Sequence, residues 1–144
     1  MPLPKPYSVA SEYVVNLDLR RLFQEDELNL GKLNGLIKEA TRWSLEIDKN
    51  TVGFVANSWL NSQMEKISQH PEEMALYEKI EKAVTLLISF SVELDLWKAQ
   101  NACFSIEKRL YSPMKERMER GDEFAKGWID VFHRLGSCLR VKVP

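Results

Sequence analysis

Apolar residues recur every three or four positions in one stretch after another, and there is no second alternating run for a strand to pair with. That regularity restricts the chain to an all-α fold: an irregular bundle of five to six helices. Ser8 reads as the N-cap of a first helix reaching Gln24, with Ala10, Tyr13, Val14, Leu17 and Phe23 on one side. Val15, Leu19 and Leu22 widen this stripe, so the helix reads as central and covered from two sides. A second helix opens at Asn29 or Leu30 and carries Leu33, Leu36, Ile37, Ala40, Trp43 and Ile47. Gly31 and Gly35 weaken its first turns by roughly 1 kcal/mol each relative to Ala. Asp48 or Asn50 caps a third helix running to about Gln69, with Val52, Val55, Ala56, Trp59, Leu60, Gln63 and Ile67 on one face.

Pro71 with Glu72 and Glu73 behind it has the form of a helix start: proline at the first position, acids on the positive end of the dipole. Tyr77, Ile80, Val84, Leu87 and Ile88 continue that fourth helix to about Phe90. The fifth stretch, Leu94 to Tyr111, is the most informative. Asp95 is its N-cap, and Trp97, Gln100, Asn101, Phe104, Glu107 and Tyr111 share one side, with Leu96, Cys103 and Leu110 beside them. Amides set into an apolar stripe need partners, either backbone groups or ligand hydroxyls. Pro113 ends or kinks this helix, and Met114 to Arg120 continues as a charged turn or short helix. After Gly121 and Asp122 a last stripe follows: Phe124, Trp128, Val131, Phe132 and Leu135, with Gly136 as C-cap. The tail from Cys138 to Val143 alternates and reads as short and extended. Pro2, Pro4 and Pro6 make residues 1–7 an extended lead-in.

A chain of 144 residues makes a single helical domain with a real core. Its net charge of −1, with both signs mixed along the chain, argues against nucleic acid, for which a basic face is expected. The longest apolar patch, Ala83 to Phe90, is too short to span a bilayer, so no membrane partner is expected. No charged-then-apolar leader opens the chain, and Cys103 and Cys138 lie far apart without CxxC spacing. Both features point to free thiols in the cytoplasm.

Catalytic motifs are hard to find. There is no GxSxG, no glycine-rich phosphate loop and no HExxH. His70 and His133 stand without a carboxylate or cysteine at ligand spacing, so neither metal nor other cofactor is expected. Glu12, Asp18, Glu46, Asp48, Glu93, Asp95 and Glu107 offer carboxylates, but most read as caps or solvated charges. Glu107, beside Phe104, is the exception; its structural explanation is an ion pair with Arg20, Arg21 or Arg109. Trp43, Trp59, Trp97 and Trp128 all lie at core spacing, where a large apolar ring is the usual reason for them. Trp97 is the least tied to that reading, since Gln100 and Asn101 share its side and a flat indole suits a sugar ring. Lys115, Arg117 and Arg120 alternate with Glu116 and Glu119 as a solvated face.

Four segments in this order — VVNLDLRRLF (Val14–Phe23), EATRWSLEID (Glu39–Asp48), LDLWKAQN (Leu94–Asn101) and WIDVFHRLGSCLRVKV (Trp128–Val143) — give the chain a resemblance. Nearly its whole length resembles the helical C-terminal domain of unknown function in proteins related to glycoside hydrolase family 57, of the α-amylase/α-mannosidase-like kind. In that family a glutamate nucleophile and an aspartate acid/base sit on an N-terminal distorted (β/α) barrel, which this chain does not contain, so no catalytic residue carries over. The resemblance implies a C-terminal piece of a larger glycoside hydrolase. As such it is a non-catalytic accessory domain that packs on the barrel and lines one wall of its cleft. Trp97, Gln100 and Asn101 are the positions able to meet an oligosaccharide there. Such a domain is expected to show a bare apolar face, through which homo-oligomers could also form. The alternative is a freestanding helical interaction or dimerisation module.

Overall fold

A computed structural model describes residues 5–25 and 27–142, without the side chains of residues 5, 6 and 8. The helices are α1 (Lys5–Gln24), α2 (Leu30–Arg42), α3 (Lys49–Gln69), α4 (Met74–Ser89), α5 (Trp97–Ile106), α6 (Ser112–Glu119) and α7 (Glu123–Cys138). A π-helical turn, Glu107–Tyr111, joins α5 directly to α6. Among the described residues the outcome is six continuous rods and no strand.

The all-α expectation is met, and the differences lie at the helix ends. The extended lead-in gives way to helix from Lys5, so Ser8 lies inside α1 and not at its start. Pro6 sits in the opening turn, where its missing amide is no loss; Pro2 and Pro4 lie outside the described residues. Asn29 caps α2 by accepting the Lys32 amide at 3.0 Å. Asp48, not Asn50, caps α3, taking the Thr51 amide at 3.2 Å and its hydroxyl at 2.7 Å. Asp95 still accepts the Trp97 amide at 3.1 Å, although the helix opens at Trp97 itself. Pro113 neither ends nor interrupts its rod. Proline removes an amide and crowds the carbonyl four residues back, and the wider π turn just before it absorbs that misfit.

Four helix ends close in one way. After α2, α4, α6 and α7 a residue takes positive φ: Ser44 (53°), Ser91 (60°), Gly121 (91°) and Arg140 (60°). In each case its amide reaches back three residues and the next amide reaches back five, as from Leu45 to Ala40, Val92 to Leu87, Asp122 to Arg117 and Val141 to Gly136. Three of these ends lack the expected glycine, and in all three the following residue is a buried anchor: Leu45, Val92 or Val141. Gly136 is therefore not the C-cap; it lies inside α7, and the turn falls at Arg140. This turn is also why the tail makes no strand over its described residues; Val143 lies outside them.

By their internal contacts the residues form two compact units, Met1–Trp59 with Leu86–Leu94, and Leu60–Thr85 with Asp95–Pro144. In the first, α1 packs on α2. Val15, Leu19, Leu22 and Phe23 are buried with Leu33, Val52 and Trp59, and Phe23 meets Trp59 edge to face at 5.9 Å. Gly53 lets α3 approach the 92–93 backbone: a Cβ there would lie 3.0 Å from the Glu93 carbonyl. Asn16 fixes the α2–α3 connection, donating to the Glu46 carbonyl at 3.1 Å and accepting the Asp48 amide at 2.7 Å. In the second unit α6 packs on α7. Its centre is aromatic: Trp128 stacks on Phe132 at 4.9 Å, and Tyr77 stands edge-on to both.

Candidate functional site

The central stretch puts two of its three singled-out residues in solvent. Trp97 is 66 % exposed, and Asn101, one turn further along, is also exposed. Gln100 turns away from them and donates through Nε2 to the Leu139 carbonyl at 2.9 Å. Of the two partners open to that amide, the backbone has it. The opposite side of α5 is core, with Ala99, Cys103 and Ile106 fully enclosed. Burial, with the charge of Glu107 adding to it, pushes the Cys103 thiol up to about 12, so it stays protonated and unreactive. Cys138 is also pushed up, chiefly by burial.

Glu107 opens the π turn and is half-buried, with Oε2 enclosed and making no hydrogen bond. The Arg109 partner expected for it points elsewhere, donating to the Ser68 carbonyl at 3.2 Å. At the other end of the turn the Tyr111 hydroxyl and His133 Nε2 are 3.0 Å apart, and their rings lie 5.7 Å apart. His133 is thus tied into the aromatic cluster. Among the described residues, no group of three His, Cys, Asp or Glu could hold a metal ion.

A second region was not visible in the sequence. An open cleft of about 560 Å³ is lined by His70, Pro71, Glu72 and Glu73 before α4, by Leu110 of the π turn and by Phe124 at the start of α7. Pro71 is not the first residue of a helix, as its sequence context suggested. Its carbonyl is taken instead by the Tyr77 hydroxyl at 2.6 Å and by Trp128 Nε1 at 2.7 Å. Those polar tips need an acceptor once their rings are buried. Supplying one holds 70–73 as a turn, closed by the Glu73 amide on the His70 carbonyl at 3.1 Å. The signal was present in Tyr77 and Trp128, two core positions whose polar atoms had no assigned partner.

Arg117 borders the cleft. Its guanidinium lies 5.7 Å from the centre of the Phe124 ring, and Nη1 is 3.8 Å from Glu72. Nε donates to Asp122 at 2.9 Å. Asp122 also caps α7 through the Phe124 and Ala125 amides. The Arg117 bond first, then the amides, hold its carboxyl below the usual range. Asp48 is lowered in the same sense, mainly by Thr51. Each resolved pKa shift therefore falls on a helix cap or on a buried phenol or thiol. None marks a matched acid and base.

In comparisons with protein-family models, curated proteins and solved structures, the chain matches none. No described helix is long and apolar enough to cross a membrane.

Proposed function

We propose that the chain is the non-catalytic helical accessory domain of a family 57-like carbohydrate-active protein, and that it packs through α1 on its parent's catalytic barrel. One observation carries this reading. Helix α1 buries Val15, Leu19, Leu22 and Phe23 on one side, yet Tyr7, Val9, Tyr13 and Val14 are each more than half exposed. Apolar residues gathered on one helix in water mark a surface that another polypeptide covers. Tyr7, Ala10, Val14 and Leu17 follow a three-four spacing, which presents a seam to a neighbouring helix. The outer layer of a (β/α) barrel is made of helices.

On this reading the chain itself carries out no chemistry. Trp97 and Asn101, exposed one turn apart on α5, are available to an oligosaccharide; Gln100 sets their helix against Leu139. The test is reconstitution. The upstream barrel, expressed separately, should co-purify with this chain in equal amount, and Tyr13→Ser with Val14→Ser should abolish the pairing without lowering the melting temperature. A reading frame encoding no barrel, or pairing indifferent to the two substitutions, overturns the proposal. The same seam favours one second reading, a symmetric dimer through α1. Sedimentation of the isolated chain at rising concentration separates the two, because a dimer would form without any barrel.

A further inference from the structure

We propose that the cleft between the 70–73 turn, Leu110 and Phe124 binds a small organic cation, an ammonium or guanidinium group on an apolar stem. The cleft is built from residues of the second unit alone, and the inference does not depend on what covers α1.

Three features of the cleft converge. The first is the wall chemistry. Pro71, Leu110 and Phe124 supply apolar surface, while Glu72 and Glu73 bring two exposed carboxylates to the rim. Glu72 is already approached by Arg117, so Glu73 is the charge left at the rim, and an apolar floor beneath it favours a cation over an anion or a neutral ligand. The volume of about 560 Å³ lies within the usual range for small-molecule sites.

The second is the chain's own use of the cleft edge. The Arg117 guanidinium faces the Phe124 ring and approaches Glu72 at the same time. An aromatic face beside a carboxylate is the pair of groups that holds an organic cation. Arg117 needs neither contact to stay in place, since its Nε is held by Asp122. An incoming cation can therefore take the Phe124 face from Arg117 without breaking the α7 cap.

The third is rigidity. The Pro71 carbonyl is fastened from inside by Tyr77 and Trp128, so the turn carrying Glu72 and Glu73 is set before any ligand arrives. Preorganisation of this kind reduces what binding must spend on ordering. The opposite wall is the π turn, which aims Leu110 into the cleft. Single π turns inside α-helices are frequent at functional sites.

The experiment is an NMR titration of the ¹⁵N-labelled chain with n-butylguanidinium and, in parallel, with n-butylurea, which has the same shape without the charge. The Trp128 indole N–H is the reporter, because it bonds directly to Pro71. We expect a saturable shift with butylguanidinium and none with butylurea. Glu73→Gln, a surface exchange that leaves the fold intact, should weaken binding about fivefold. Arg117→Gln, which removes the built-in competitor, should strengthen it. A capped Ala-Arg-Ala peptide distinguishes the source: tighter binding than butylguanidinium means that the cation arrives on a polypeptide. Equal response to the urea, an affinity unchanged in both variants, or no saturation with butylguanidinium overturns the proposal.

Discussion

The two compact units each bury one tryptophan, and they treat it differently. In the second unit Trp128 is stacked on Phe132 and its N–H is tied to Pro71 across 57 residues of sequence. In the first, Trp59 meets Phe23 edge-on, and its buried N–H makes no hydrogen bond. The contrast extends outward. The second unit satisfies the polar tips of Tyr77, Tyr111 and Trp128 within itself. The first leaves Tyr7, Val9, Tyr13 and Val14 in water. The second unit also exposes apolar rings, Trp97 and Phe104, so the difference lies in how each unit treats its buried ring tips. A polar tip held by a distant carbonyl makes the aromatic a fastener, whereas an unheld tip makes it a filling.

The strongest way to break this contrast is to remove both indoles. Trp128→Phe should cost about 3 kcal/mol, because it loses ring volume and takes one donor from the Pro71 carbonyl. Trp59→Phe should cost about 1 kcal/mol or less, since the lost volume is offset by removing an unpaired N–H. Denaturant unfolding measures both, and equal losses would erase the distinction. Glycines sharpen the picture of the first unit. Gly53→Ala drives a methyl against the Glu93 carbonyl and should destabilise by about 2 kcal/mol. Gly35→Ala meets nothing within 4 Å and should stabilise by up to about 1 kcal/mol.

Smaller effects belong to the shared closing turn. Ser91→Gly should gain about 0.5–1 kcal/mol and Gly121→Ala lose about 1 kcal/mol, because both residues hold positive φ. No gain from Ser91→Gly would show that the buried Val92 has already offset the strain at Ser91. Acid is the gentlest probe. Asp48 and Asp122, one in each unit, titrate lower in the folded chain than in the unfolded one. Their contribution is complete above the ordinary carboxylate pKa of about 4 and fades as pH falls below it. Asp122→Asn should flatten that acid slope in a melting-temperature profile, and an unchanged slope would detach the cap from stability.

The rods were legible in the sequence because helical spacing is a local property. Asp48 caps α3 as its side chain predicted and Asn29 stands at the expected opening of α2, whereas the cap residue of α5 is Leu96 and not Asp95. Spacing does not say which side of a broad stripe is covered, however. Helix α1 was expected to be enclosed from two sides, and Tyr13 and Val14 are bare. Trp97, at core spacing with Trp59 and Trp128, is exposed for the same reason. Pro71 had every local mark of a helix start and was overruled by Trp128. Such a contact costs nothing in local propensity and leaves no periodic trace. The closing turns at Ser44, Ser91 and Arg140 escaped notice because none carries glycine, and the buried residue that holds each one lies one position later.

Hydroxyl-radical footprinting of this chain alone and joined to the proposed barrel tests most directly whether α1 is a covered face. Tyr7 and Tyr13 should label readily in the isolated chain and be protected severalfold in the larger protein, with Phe54 labelled equally in both. Equal labelling of Tyr7 and Tyr13 in the two states would contradict the account, because the α1 face would then meet nothing.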